Sequence, residues 1–326
     1  MARRAEEAGA GGGAPGKAGL HPRNRHRDRY DFAALVEACP GLGPFVLRGP
    51  RGPTVDFADP RAVRLLNRAI LQQAYGVKGW DIPEGHLCPP IPGRADYVHH
   101  AADLLASLHG GEIPRGAGVR VLDLGTGASL VYPLIGHREY GWSFVGTDID
   151  KAALEAGRKI LKANPGPEAA IELRLQRDRG SILDGVLEPG EAFDLAMCNP
   201  PFFASAAEAR QSAQEKWRKL GRGARVSTRN FGGQGNELWC EGGEAAFIRR
   251  MVEESARHRG ACRWFTTLVS KSSNLPAVHR ALRQAEAQDI RTLEMAQGQK
   301  KSRIVAWTFM DATGRALPSN QVEFHG

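Results

Sequence analysis

The sequence predicts a doubly wound α/β fold of Rossmann type, a mixed seven-stranded sheet with helices on both faces. Two observations predict it. From Val119 onward short apolar segments alternate with helical ones, and the first apolar segment runs into a glycine turn at a helix start. Strands are expected at 119–124, 143–147, 171–175, 193–198, 263–269, 289–295 and 303–310. Helices are expected at about 129–137, 150–163, 243–258 and 275–287.

Residues 1–19 are rich in Gly and Ala with almost no large apolar side chain. Such a segment cannot repay the entropy of ordering, and a disordered tail is expected. Residues 20–113 carry helical signals and are expected to form a basic N-terminal RNA-binding segment. Asp59 as N-cap and Pro60 at the first helical position open a helix with apolar Val63, Leu65, Leu66, Ile70 and Leu71, ending near Gly76. A second helix is expected from Arg94 to Leu108. Between them the proline-rich stretch 82–93 suits neither helix nor central strand and reads as an ordered loop. The sheet domain spans 114–312, and 313–326 form a C-terminal tail. Within the domain, 203–240 is polar, basic and glycine-rich, far longer than an ordinary strand-to-helix loop, and reads as a mobile substrate loop.

Composition excludes several classes. The 326 residues, 42% hydrophobic, suffice for one large α/β domain or two small ones with a real core. No apolar run approaches the roughly 20 residues of a membrane span. The N-terminus follows Met1-Ala-Arg-Arg4 with Glu6, Glu7 and a Gly/Ala tract, where a secretory signal would be apolar. A cytoplasmic monomer is expected. Cys39, Cys88, Cys198, Cys240 and Cys262 are scattered without metal-ligand spacing, so reduced thiols and no metal are expected.

Val119-Arg-Val-Leu-Asp-Leu-Gly-Thr-Gly-Ala-Ser129 is a buried strand leading into a turn at Gly125, Thr126 and Gly127. The glycines let backbone approach a ligand, and the helix start offers free N–H groups. A lone GxG is weak on its own, since tight turns need glycine anyway. Asp123, just before the turn, suits a methionine ammonium and would serve a pyrophosphate badly. Leu130 occupies the third glycine place of GxGxxG. Both features favour adenosylmethionine over NAD. The second strand ends in Asp148, placed to hold ribose hydroxyls, unless it merely caps the next helix, a role for which Asp150 competes.

The apolar strand Phe193-Asp-Leu-Ala-Met-Cys198 stops abruptly at Asn199-Pro200-Pro201-Phe202, followed by Phe203. The prolines remove two backbone donors and leave carbonyls free to accept. An aromatic amine is a poor nucleophile because its lone pair delocalises into the ring. The Asn199 side-chain oxygen and the Pro200 carbonyl would hold its two N–H groups and restore lone-pair density toward a methyl donor. Phe202 or Phe203 can stack on the base, worth roughly 1–3 kcal/mol. Adenine, guanine, cytosine and glutamine amino groups all remain admissible.

The net charge of +8 lies in two patches. Residues 1–30 contribute +4, with Arg23, Arg25, Arg27 and Arg29 interleaved with His and Asn ahead of Tyr30 and Phe32. Residues 205–230 contribute +5, including Lys216, Arg218 and Lys219. Such patches suit phosphate contact and point to a nucleic acid, although most charge runs are simply solvated.

His21-Pro-Arg-Asn-Arg-His26, Gly125-Thr-Gly-Ala-Ser129, Cys198-Asn-Pro-Pro-Phe202, Asn230-Phe-Gly-Gly-Gln234, Glu237-Leu-Trp-Cys-Glu-Gly-Gly-Glu244 and Glu294-Met-Ala-Gln-Gly-Gln-Lys300 resemble the bacterial RlmF family of large-subunit ribosomal RNA adenine-N6 methyltransferases. The similarity runs from roughly Leu20 to Asp311. The same core is similar to the eukaryotic METTL-type U6 small-nuclear-RNA adenine methyltransferase. The resemblance implies a class I methyltransferase that uses S-adenosylmethionine on one adenine N6 of 23S ribosomal RNA or a large-subunit precursor. N2-guanine methylation, or adenine in another structured RNA, is the rival reading. The resemblance further implies cofactor contacts at Arg94, Gly125, Ser129, Asp148, Ser181 and Asn199. Two positions depart from the pattern: Asp148 stands where the eukaryotic relatives carry Glu, and Phe203 where bacterial members carry His.

Overall fold

The computed structural model describes residues 19–209, 211, 235–297, 300–311 and 314 of the chain. The tail 1–18, most of the 203–240 loop and nearly all of the C-terminal tail lie outside them. So do Lys216, Arg218, Lys219 and the Asn230–Gln234 motif.

The chain begins with α1 (Phe32–Ala38) and a hairpin of β1 (Val46–Gly49) and β2 (Gly52–Val55). Next comes α2 (Pro60–Tyr75), opened as its sequence dictates: Asp59 accepts from the Arg61 N–H, Pro60 sits at N1, and Gly76 closes the helix at φ +63°. Helix α3 spans Ile91–Ala106. Three residues assigned to the proline-rich loop, Ile91, Pro92 and Gly93, therefore form its first turn. Pro92 costs nothing there, because the first-turn N–H groups have no intrahelical partner.

The sheet carries β3 (Arg120–Leu124), β4 (Ser143–Asp148), β5 (Ile171–Leu175), β6 (Phe193–Cys198), β7 (Cys262–Val269), β8 (Asp289–Gln297) and β9 (Lys300–Thr308). Their order is β5-β4-β3-β6-β7-β9-β8. The first five are parallel, and β9 runs antiparallel to both β7 and β8. Between the strands lie α4 (Val131–Tyr140), α5 (Lys151–Lys162), α6 (Pro165–Ala170), α7 (Gly235–Leu238), α8 (Gly243–Arg257) and α9 (Leu275–Gln284).

Two apolar clusters occupy the two faces of this sheet, and strand alternation sorts residues between them. Val121, Leu195 and Met197 point to one face, where they pack with α2, α3, α4 and α5. Leu122, Leu124, Ala196 and Cys198 point to the other, under Ile248, Met251 and Val252 of α8 and Val278 and Leu282 of α9. The N-terminal helices thus supply one whole layer of the sandwich. A boundary at 113/114 does not separate two cores: Leu35, Ile70, Tyr97 and Leu105 share one with Val121 and Trp142. No helix among the described residues is long and apolar enough to cross a membrane.

Candidate active site

The sheet reverses its winding between β3 and β6. These strands are parallel neighbours, with Leu124 opposite Cys198. The chain leaving β3 packs α4 on one face, and the chain leaving β6 packs α8 on the other. Their carboxyl ends therefore diverge and open a crevice, the place where ligands bind in open α/β sheets. A cleft of about 530 Å³ lies there.

On the β3 side, Gly125 (φ +74°) and Gly127 (φ +65°) turn the chain through left-handed backbone. The Gly125 and Thr126 N–H groups both donate to the Thr147 carbonyl at 2.9 Å, fastening the turn to β4. Leu130, at the third place of the glycine pattern, keeps φ +49° although it has a side chain. That backbone costs about 1–2 kcal/mol, offset by complete burial of Leu130 against Gly157. The Trp80 indole donates to the Ser129 carbonyl at 2.9 Å and fixes the far end of the turn.

Asp148 accepts from the Gly127 N–H and the Asp150 N–H, each at 2.9 Å. Capping of α5 falls to Asp150, which accepts from the Ala152 N–H. The capping alternative for Asp148 is thereby removed, and its carboxylate lines the cleft. Burial raises its pKa, opposed by those two backbone N–H groups.

Asp123 precedes the cleft-lining Leu124 on β3 and does not itself line the cleft; it is 1% exposed, with neither carboxylate oxygen hydrogen-bonded. Burial pushes it up to about 7, with the neighbouring Thr126 hydroxyl opposing the rise. Arg94, on the first turn of α3, reaches the cleft and donates to the Tyr132 hydroxyl at 2.8 Å. Its guanidinium lies 5.5 Å from the centre of the Tyr132 ring.

On the β6 side, Asn199 lines the cleft and its Oδ1 is buried without a partner. The strand end before it is held by Tyr97, whose hydroxyl bonds Thr266 Oγ1 at 2.7 Å and receives the Cys198 N–H at 3.3 Å. Past the prolines, the Phe202 and Phe203 N–H groups both donate to the Leu238 carbonyl, and Phe203 bridges Trp239. This pairing draws the Asn-Pro-Pro-Phe turn against the Glu237–Cys240 segment. Pro201 lines the cleft, whereas Pro200, Phe202 and Phe203 do not. The ring lining assigned to Phe202 or Phe203 is supplied by Trp239, Phe247 and Tyr132.

Ser181 also lines the cleft and donates its hydroxyl to Asp178 at 2.7 Å. The loop beyond it is clasped by buried Glu254 of α8, which accepts from the N–H groups of Ile182, Leu183 and Asp184. Sequence reasoning did not single out Glu254, Tyr97, Trp239, Phe247 or Glu237. Trp239 and Glu237 lie in a quoted motif, but Glu254 and Tyr97 act through partners about 70 to 170 residues away.

The basic N-terminal segment is placed differently from its sequence reading. Arg23 donates to Asp103, the Tyr140 hydroxyl and the His99 carbonyl, while Arg25 forms an ion pair with Glu139. His21, Asn24 and His26 are buried, bonded to Asp103, Asp96 and Tyr75 respectively. The His-Pro-Arg-Asn-Arg-His motif is therefore a strap that binds the chain to α2, α3 and α4. Arg27 and Arg29 are exposed and donate to the carbonyls of Pro22 and Arg51.

These elements fit adenosylmethionine. An arginine, a ribose acid and a glycine turn line one wall, with a buried acid bearing two unpartnered oxygens directly behind it. An unpartnered amide oxygen lines the other. No group of three or more His, Cys, Asp or Glu among the described residues is arranged to hold a metal ion.

Sheet order and site together define a class I adenosylmethionine-dependent methyltransferase. The RNA methyltransferase family profile matches residues 14–311, and the chain belongs to that family. It is 56% identical to the ribosomal RNA large subunit methyltransferase F of Methylobacillus flagellatus, over 92% of this chain and 94% of that one. It is 54% identical to the protein of that name from Serratia proteamaculans, over 92% and 90% respectively. Among solved structures, the human METTL16 catalytic domain in complex with the MAT2A 3′UTR hairpin 6 matches with a TM-score of 0.73 at 30% identity. That match covers 90% of this chain and 98% of that one. The N-terminal domain of human METTL16 in complex with SAH matches with a TM-score of 0.70 at 27% identity, covering 90% and 99%.

Proposed function

We propose that the chain methylates the N6 amino group of one adenine in large-subunit ribosomal RNA, acting as a cytoplasmic monomer. The observation that carries this reading is the unpartnered Asn199 Oδ1 facing a cleft lined by Asp148 and Arg94, with buried Asp123 directly behind its Leu124 wall. Adenosylmethionine, when bound, supplies an electrophilic methyl group on its sulfonium. Asp123 and Arg94 bind the ammonium and carboxylate of its amino-acid end, and Asp148 accepts from ribose hydroxyls. Gly125, Thr126, Gly127, Ser129 and Ser181 wall the pocket.

Asn199 Oδ1 accepts from an N–H group of the target amine and holds its lone pair toward the methyl group; the Pro200 carbonyl, expected to accept the second N–H, belongs to a residue that does not line the cleft. The work is positioning and electrostatic preorganisation, with the proton passing to water after transfer. The target base must leave its stack to enter so narrow a cleft, and Trp239 or Phe247 offers a ring for it to pack against. Substrate identity rests on the named relatives at more than half identity over nine-tenths of the chain. Guanine N2 would fit the same acceptor.

The test uses labelled adenosylmethionine and ribosomal RNA from cells lacking the activity, with nucleoside analysis of the product. N6-methyladenosine at a single position is the expected result, and 2-methylguanosine would overturn the base assignment. Asn199→Ala is expected to retain cofactor affinity and lose at least about 100-fold in kcat. Near-normal turnover would sink the role given to Asn199.

A further inference from the structure

Glu237 lines the cleft but has no assigned part in binding the cofactor or the target amine. It lies on α7, and its Oε2 accepts from the Leu87 N–H at 2.9 Å across 150 residues of chain. Its Oε1 lies over the glycine turn, 3.6 Å from where a Cβ on Gly127 would sit. The next residue, Leu238, gives its carbonyl to both the Phe202 and Phe203 N–H groups. One short segment thus touches three separate parts of the site.

Each part has its own duty. Leu87 and Pro89 belong to a loop that walls the cleft, anchored by Asn67, whose amide donates to the Pro89 carbonyl at 2.6 Å. Gly127 belongs to the cofactor turn and binds Asp148. Phe202 and Phe203 directly follow the Asn199-Pro200-Pro201 turn that holds the acceptor amine. We infer that Glu237 is a positioning residue, a latch through which cofactor loading sets the geometry of the acceptor turn. A ligand entering between Leu87 and Gly127 meets the Glu237 carboxylate. Any shift of Glu237 is passed through Leu238 to the backbone of Phe202 and Phe203. The device needs a hydrogen-bond acceptor at the end of a side chain of this length. A glutamine oxygen can replace the carboxylate toward Leu87, and an alanine cannot.

This inference rests on the cleft being the adenosylmethionine site. Its signature is a linkage: cofactor and RNA must each tighten the binding of the other by the same factor. The experiment measures the affinity of protein-free 23S ribosomal RNA with and without saturating adenosylhomocysteine, for the wild type, Glu237→Gln and Glu237→Ala, each checked for an unchanged melting profile. The wild type is expected to bind RNA about 5- to 10-fold more tightly with adenosylhomocysteine present. Glu237→Gln should keep that factor, and Glu237→Ala should bring it close to 1 while each ligand still binds alone. Coupling retained in Glu237→Ala would overturn the latch, as would an absence of coupling in the wild type or equal loss in both variants. Failure of the wild type to bind adenosylhomocysteine at all would instead overturn the cofactor site beneath it.

Discussion

Asp123 is a buried carboxyl directly behind the cleft wall. A carboxyl whose ordinary value is 3.8 is pushed up to about 7 by burial. Three pH units correspond to about 4 kcal/mol. For an acid with a raised folded-state value, this stabilisation is complete below the unfolded value and is lost as pH rises from about 4 to about 7. Above pH 7 the free protein therefore holds a costly buried anion, to be relieved by an ammonium. Two outcomes follow for Asp123→Asn. The free variant should melt at higher temperature than the wild type at pH 8, with the gain shrinking toward pH 4. Adenosylhomocysteine should bind it more weakly but with little pH dependence, whereas wild-type affinity should fall by up to tenfold per pH unit below about 7. Calorimetric titration between pH 5.5 and 8 reads both proteins, and a flat wild-type profile would remove Asp123 from the ammonium.

At the scale of elements, the sheet was legible because its strands are short apolar runs punctuated by glycines, prolines and caps. All seven were expected within about three residues of their observed bounds. The β1–β2 hairpin was missed because each strand has four residues, one with Pro53 inside, too few to show a period. The cofactor turn and Asn199 were legible for a related reason, since they sit at strand ends that the sequence marks sharply. The clasps behind them were not, because they are tertiary. Glu254 reads as one more acid on the amphipathic helix α8, yet it is 2% exposed and serves three backbone N–H groups. Buried donors left unpaired cost about 1–3 kcal/mol each. Glu254→Ala is thus expected to destabilise the protein by about 3–5 kcal/mol. The loss is readable by chemical denaturation, together with weaker cofactor binding as the Ser181 loop loosens. A variant of wild-type stability would mean the loop N–H groups find other partners.

On the scale of the whole molecule, the positive charge does not divide as a count along the chain suggests. Arg23 and Arg25, two of the four arginines expected to meet RNA, are engaged by Asp103 and Glu139 in a strap across α3 and α4. A run of interleaved Arg, His and Asn reads equally well as a phosphate site or as a set of docking contacts, and only the position of Asp96, Asp103 and Glu139 decides between them. The strap is shut by buried His21, Asn24 and His26, so deleting residues 1–29 would unseat part of the core and confuse RNA binding with folding. The two roles separate by substitution. Arg27→Gln with Arg29→Gln should leave the melting temperature unchanged while reducing the slope of log affinity against log salt by about 1.4, roughly 0.7 for each single-strand phosphate contact. Arg23→Gln with Arg25→Gln should instead lower stability by about 1–2 kcal/mol, because both ion pairs are partly exposed, and change that slope much less. The salt series is measured with protein-free ribosomal RNA from about 50 to 200 mM. A slope that responds to the Arg23 and Arg25 pair, and not to Arg27 and Arg29, would return the RNA contacts to the strap itself.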